Sequence, residues 1–238
     1  MTGPTSTQPI TIMSSYSDDI LINTPGKIIA IQKGGPAAFI EQAIRGERLP
    51  YKLFSGKRIE VEILVTPNGE YGKVTAKPCR RSMQDYPLTD WTIVSTILDE
   101  WQLAEPYPEK MFVDLQGYLR DGIDFGKKRT NETVNRLAGN VFCLKGTKEE
   151  VSYLPKMAQV RQKQRLLVVT NGNKEIMVFN KGKLTNLNPR KVYGLNNTIG
   201  AGDTFLACFV AAMYRGDAPE PAAAYAAGKT TDFLLDKS

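Results

Sequence analysis

The stretch Asn197-Thr198-Ile199-Gly200-Ala201-Gly202-Asp203-Thr204-Phe205 brings residue types that chemistry needs into one short turn. Glycines let a backbone come close to a ligand and take φ values that other residues avoid. The apolar run beyond the turn predicts a helix from Thr204 to about Tyr214. The unpaired N–H groups at a helix start, together with the positive end of the helix dipole, make an anion site. Asp203 falls in that site. A carboxylate beside a bound anion is repelled unless it has work to do, and beside a substrate hydroxyl that work is general-base catalysis. From the residues alone a second role stays open, because Asp is also a good helix cap.

The same run resembles the C-terminal signature of the ribokinase-like (PfkB) carbohydrate kinases, commonly D-T-x-G-A-G-D. Asn197 stands in place of the first Asp, and Cys208 lies where a small Ala or Gly is usual. The resemblance implies an ATP-dependent kinase that transfers a γ-phosphoryl group to a hydroxyl of a sugar-like molecule. Asp203 would deprotonate that hydroxyl. The amides of Gly200, Ala201 and Gly202 would form the anion hole, and Thr198 and Gly202 would touch the nucleotide. Thr170-Asn171-Gly172 resembles the family's Thr-x-Gly at the nucleotide phosphates, which assigns Thr170 and Gly172 to ATP. Lys33-Gly34-Gly35 matches its sugar-contacting glycine pair, with Phe39 near a place where Asn is usual. Asp18 and Asp19 both stand where the family puts a substrate-binding Asp, and Asp19 fits better because Ile20-Leu21 follows it directly. Glu150 matches the Glu of an Asn-x-x-Glu motif that acts through water on Mg²⁺, with Thr147 replacing the Asn. Thr147 to Glu150 equally spells a helix capping box, so both roles stay open. Some family members also need a monovalent cation near the main turn. The acceptor class stays open too: a nucleoside, an inositol or a hydroxymethylpyrimidine suits the same fold, and so does a relative that binds ligand without turnover.

Composition removes other classes. The chain has 238 residues, 42% hydrophobic and 24% charged, which suits one globular α/β domain with a sizeable core. It has no His, which excludes Ser/His/Asp triads, Cys/His dyads and His-bound metals. A net charge of +6 suits anionic ligands such as nucleotides. That charge is dispersed, and the densest basic run, Arg161-Gln162-Lys163-Gln164-Arg165, has no aromatic residue, so it reads as a solvated helix end with no nucleic-acid partner. Cys79, Cys143 and Cys208 are far apart and odd in number, as in a reduced cytoplasmic protein without a zinc site. No apolar run is long enough to span a membrane. Residues 1–9 read as a flexible tail rather than a signal peptide, leaving 10–238 as a single domain.

The candidate residues need elements to hold them. Ile10 to Met13 reads as a strand, with Ser14 to Asp19 as the loop at its end. Ile20–Ile22 and Lys27–Gln32 read as strands around the turn Asn23-Thr24-Pro25-Gly26, followed by a helix from Ala37 to about Ile44. Ile59 to Thr66 alternates and turns at Pro67-Asn68-Gly69 into a return strand, Tyr71 to Ala76. Within the resemblance, segments 20–32 and 59–76 form a small β-sheet lid, whose exposed edge could pair with a second copy as a homodimer. From residue 91 strands at 91–95, 111–115, 141–144, 166–170 and 176–179 alternate with helical stretches, the mark of a doubly wound α/β/α core. Asp114-Leu115-Gln116-Gly117-Tyr118-Leu119-Arg120 reads as a strand end and loop without a catalytic role. Pro221 to Ala227 reads as an alanine-rich helix, either packing closely or leaving room for adenine. Gly228-Lys229-Thr230 mimics the end of a P-loop, but Ala223 stands where that loop needs Gly.

Overall fold

The protein is described here by a computed structural model covering residues 8–23, 26–66, 69–193 and 198–237. Asn197, Thr24-Pro25, Pro67-Asn68 and residues 1–7 of the expected tail lie outside the described residues. Gln8 and Pro9 do not behave as tail: the Tyr214 hydroxyl donates to the Gln8 carbonyl, and that of Thr89 to the Pro9 carbonyl.

The strands in chain order are β1 (Ile10–Ser14), β2 (Ser17–Ile22), β3 (Ile28–Gly34), β4 (Tyr51–Phe54), β5 (Ile59–Thr66), β6 (Gly69–Val74), β7 (Arg81–Ser82), β8 (Trp91–Ser95), β9 (Trp101–Gln102), β10 (Lys110–Asp114), β11 (Cys143–Thr147), β12 (Leu166–Thr170), β13 (Ile176–Asn180) and β14 (Lys183–Leu187). The helices are α1 (Pro36–Gly46), α2 (Gln116–Leu119), α3 (Glu132–Leu137), α4 (Lys148–Ser152), α5 (Lys156–Lys163), α6 (Ala201–Tyr214) and α7 (Pro219–Leu235).

An eight-stranded sheet runs β14-β13-β12-β11-β10-β8-β1-β4. The strands from β4 to β12 are parallel, and β13 and β14 close one edge antiparallel. Alternate side chains point to opposite faces, as the period of a strand requires. Ile12, Ile93, Phe112 and Val168 join a core with α1, α6 and α7. Met13, Val94, Val113, Leu167 and Val169 join a second core with α2, α3, α4 and α5 on the other side. This is the expected doubly wound α/β/α sandwich. Helix α6 is buried from Asp203 to Tyr214, as a helix apolar on all sides must be.

A separate sheet, β3-β2-β5-β6, forms the lid. Its second strand begins at Ser17, so the expected loop over Ser14–Asp19 is shorter and both Asp18 and Asp19 lie in a strand. The short strands β4 and β14 were not anticipated; each lies at an edge of the main sheet and lacks a clean alternation. Helix α6 starts at Ala201 and α7 runs to Leu235, both longer than their apolar patterns suggest. Gly228-Lys229-Thr230 lies inside α7, which rules out a P-loop there.

Candidate active site

The chain leaves β1 toward β4 on one side of the sheet and toward β8 on the other. Ligands of such sheets bind outside the strands' carboxyl ends, where this order reverses. A cavity of about 880 Å³ opens at that place, beneath the lid. It is lined from the core by Thr96, Lys145, Thr147, Glu150, Thr170 and the turn Thr198–Asp203, and from the lid by Ser17, Asp19, Val61 and Ile63.

The turn has the anticipated shape. Gly200 caps α6 at φ 85°, a left-handed conformation that favours glycine, and its Cβ position is already filled by the Phe39 ring. Gly202 has ordinary helical backbone; a Cβ there would come 2.9 Å from the Lys145 ammonium. The Ala201 amide donates to the Thr198 carbonyl at 3.1 Å. The Ala201 amide is thus engaged within the turn, whereas the Gly202 and Asp203 amides have no backbone partner among the described residues. Both of these residues stand at the start of α6 in the cavity lining.

Asp203 is not the helix cap. Its carboxylate makes no capping bond and instead accepts from the Ser95 hydroxyl at 2.9 Å, at the end of β8. Burial, with Asp114 nearby, pushes its carboxyl up to about 6, against the opposing pull of Lys145, Ser95 and Arg120. A carboxylate with that value is a general base near neutral pH.

The sequence does not single out Asp114 and Lys145, and of the two Lys145 lines the cavity. They face each other in the register of β10 and β11, and form a buried ion pair at 2.7 Å. Burial alone would lower the Lys145 ammonium, but Asp114 and Glu150 outweigh it and hold it above the ordinary lysine range. The signal was a charge at the carboxyl end of each of two adjacent apolar runs, Met111-Phe112-Val113-Asp114 and Val141-Phe142-Cys143-Leu144-Lys145. Arg120 was read as loop. It follows the single turn of α2, lines the cavity, stacks 4.1 Å over Phe125 and donates to the Ile97 carbonyl at 3.3 Å.

At the lid, strand alternation decides between the adjacent carboxylates. Asp18 points outward to Arg58 at 3.3 Å, whereas Asp19 is buried, faces the cavity and accepts from the Ser17 hydroxyl. Burial raises the Asp19 carboxyl, with Ser17 opposing. Gly34 serves it indirectly: a Cβ there would overlap the Asp19 carboxylate. Gly35, at φ 83°, carries the chain into α1 against the Ser15 and Ser17 backbone. Thr170, Gly172 and Thr198 line the same cavity, together with Asn173 and Arg190.

Glu150 is both a cap and a cavity residue. Thr147 and Glu150 make a complete capping box at the start of α4, with the Thr147 amide donating to Glu150 Oε2 at 2.8 Å. Burial and Asp114 raise its carboxyl. Among the described residues no group of acidic or thiol side chains forms a protein metal cage. Mg²⁺ usually keeps several waters and takes one or two carboxylates beside substrate phosphates, and Glu150, in the cavity lining, is a carboxylate of that kind.

No helix among the described residues is long and apolar enough to cross a membrane. Residues 124–229 match the model of the pfkB family carbohydrate kinases. A search of curated protein sequences found no match. Among solved structures, a ribokinase from Arabidopsis thaliana complexed with ribose and ATP superposes with a TM-score of 0.72 at 16% identity, covering 99% of this chain and 94% of that one. A pyrophosphate-dependent kinase in the ribokinase family, complexed with a pyrophosphate analog and myo-inositol, gives 0.71 at 16% identity, with 95% of each chain covered. An adenosine kinase from Schistosoma mansoni in complex with 2-fluoroadenosine gives 0.70 at 13% identity, with 94% of each chain covered. The chain has the ribokinase-like fold, and over residues 124–229 it matches the pfkB carbohydrate kinase family.

Proposed function

We propose that the protein is an ATP-dependent small-molecule kinase that transfers the γ-phosphoryl group to a hydroxyl of a sugar-like acceptor. The observation that carries this reading is Asp203: a buried carboxylate, raised to about 6, at the amino end of α6 beside two amides with no backbone partner among the described residues. The acceptor lies at the lid end, with Asp19 receiving its hydroxyl protons. Asp203, oriented by Ser95, takes the proton of the attacking hydroxyl. The Gly202 and Asp203 amides, with the Lys145 ammonium against Gly202, hold the charge that develops on the phosphoryl oxygens. Thr170, Gly172 and Thr198 hold the nucleotide. Mg²⁺, reached from Glu150 through water, would neutralise phosphate charge. One cavity holds both sets of residues, so donor and acceptor would meet within it, as a two-substrate transfer requires.

The test is a panel of ribose, myo-inositol and adenosine with ATP, and with pyrophosphate as an alternative donor, followed by phosphorylated product. Product from one acceptor, abolished in Asp203→Asn, supports the reading. Full turnover in that variant, or absence of product with every pair, sinks it. The outer strand β3 leaves Ile28, Ile29 and Ile31 exposed at the lid edge, which supports pairing of two lids and is tested by the mass in solution.

A further inference from the structure

We propose that Lys237 is a positioning residue for the phosphate-binding turn, latching the end of α7 onto Ile199 across the rings of Phe39 and Phe233. The proposal rests on the reading of this turn as the anion hole. The Lys237 Nζ donates to the Ile199 carbonyl at 2.7 Å. The same ammonium lies 4.9 Å from the Phe39 ring centroid and 4.6 Å from that of Phe233. Those rings meet edge to face at 5.9 Å. Phe39 in turn fills the space at Gly200 that a Cβ would occupy. One cation thus joins α1, α7 and the turn, segments distant in sequence.

The geometry has a consequence for the ligand side. In a planar trans peptide the carbonyl and the following N–H point in opposite directions. Pinning the Ile199 carbonyl on Lys237 fixes the Gly200 N–H the opposite way and restrains the entry into α6. A charged donor on a carbonyl makes a stronger bond than a neutral one, and ring faces add attraction for an ammonium. The carbonyl end of α7 also favours a cation at this place. The place of the ammonium, within reach of a carbonyl oxygen and of two rings, would in addition suit a small free cation with N–H donors once the lysine stem is removed.

The test uses the full ligand-free chain and three variants, Lys237→Ala, Lys237→Met and Lys237→Arg. Amide hydrogen exchange is followed in peptides spanning 198–204, together with the affinity for a non-hydrolysable ATP analogue. The expected result is exchange threefold to thirtyfold faster in the Ala and Met variants, with Arg near the parent and the global melting curve little changed. Nucleotide affinity falls in parallel. Methylammonium chloride slows exchange again in Lys237→Ala, whereas tetramethylammonium chloride at the same ionic strength does not, having no N–H to donate to the Ile199 carbonyl. Unchanged exchange in the Ala and Met variants overturns the latch, as does rescue by both salts alike, which is only an ionic-strength effect. A parent chain that binds no nucleotide refutes the kinase reading, while the exchange data still decide the latch.

Discussion

Asp203→Asn separates the general base from the architecture, because burial makes the two effects run in opposite directions. The Asp203 carboxyl moves from its ordinary 3.8 to about 6. At about 1.36 kcal/mol per pH unit, holding the charged form in the folded protein costs about 3 kcal/mol. Between the two values the folded chain binds the proton more tightly than the unfolded chain, so this contribution to stability falls as pH rises. The full cost is present above about pH 6 and disappears toward pH 4. Asn removes the charge, still accepts from Ser95, and leaves no cap unmade because the cap is Gly200. At pH 8 the variant should therefore be more stable by up to about 3 kcal/mol, equivalent to a melting temperature about 6–12 °C higher for a chain of this size. That gain should shrink toward zero at pH 4. Turnover should fall by about 10²–10⁴, the usual worth of a general base. In the parent, kcat/KM should drop as pH falls through about 6, and the residual rate of the variant should lack that limb. Urea unfolding at both pH values and steady-state kinetics on the acceptor found in the panel give every quantity. A variant less stable than the parent at pH 8 refutes the burial argument, and a near-normal kcat refutes the base.

Gly200→Ala puts a methyl group on a left-handed residue and into the Phe39 ring, so stability should fall by about 1–3 kcal/mol and nucleotide affinity with it; thermal unfolding with and without an ATP analogue reads both. Lys145→Met leaves the Asp114 charge buried and alone, a loss of about 3–5 kcal/mol in denaturant unfolding, whereas Lys145→Met with Asp114→Leu should recover much of it. If the double variant is no more stable than the single one, the ion pair does not set the stability at this central pair of strands. Glu150→Gln keeps the capping box, which accepts Gln, and should leave the melting temperature near the parent's while raising the Mg²⁺ concentration for half-maximal rate severalfold. An unchanged Mg²⁺ curve with lower stability would make Glu150 a cap alone.

The sequence by itself determined the layers and the main turn. The runs Trp91–Ser95 and Leu166–Thr170 are continuous and apolar because both faces of a parallel strand are covered, and they became β8 and β12 with those bounds. The Gly-x-Gly-Asp string before an apolar run marked the start of α6, since chemistry and helix initiation leave a local signal there. Short edge strands such as β4 and β14 were not legible, because partial exposure blurs their pattern. Nor was the setting of Asp203 decided locally: only the meeting of β8 with α6 puts Ser95 on its carboxylate and makes a possible cap a buried carboxylate without a capping bond. Strand register alone joins Asp114 to Lys145, residues that sequence distance separates. The alternation of β2, which sends Asp19 inward and Asp18 to Arg58, depended on where the strand begins. Tertiary structure decided these points because charge burial and partner choice depend on which strands are neighbours, and adjacency in a doubly wound sheet does not follow chain order.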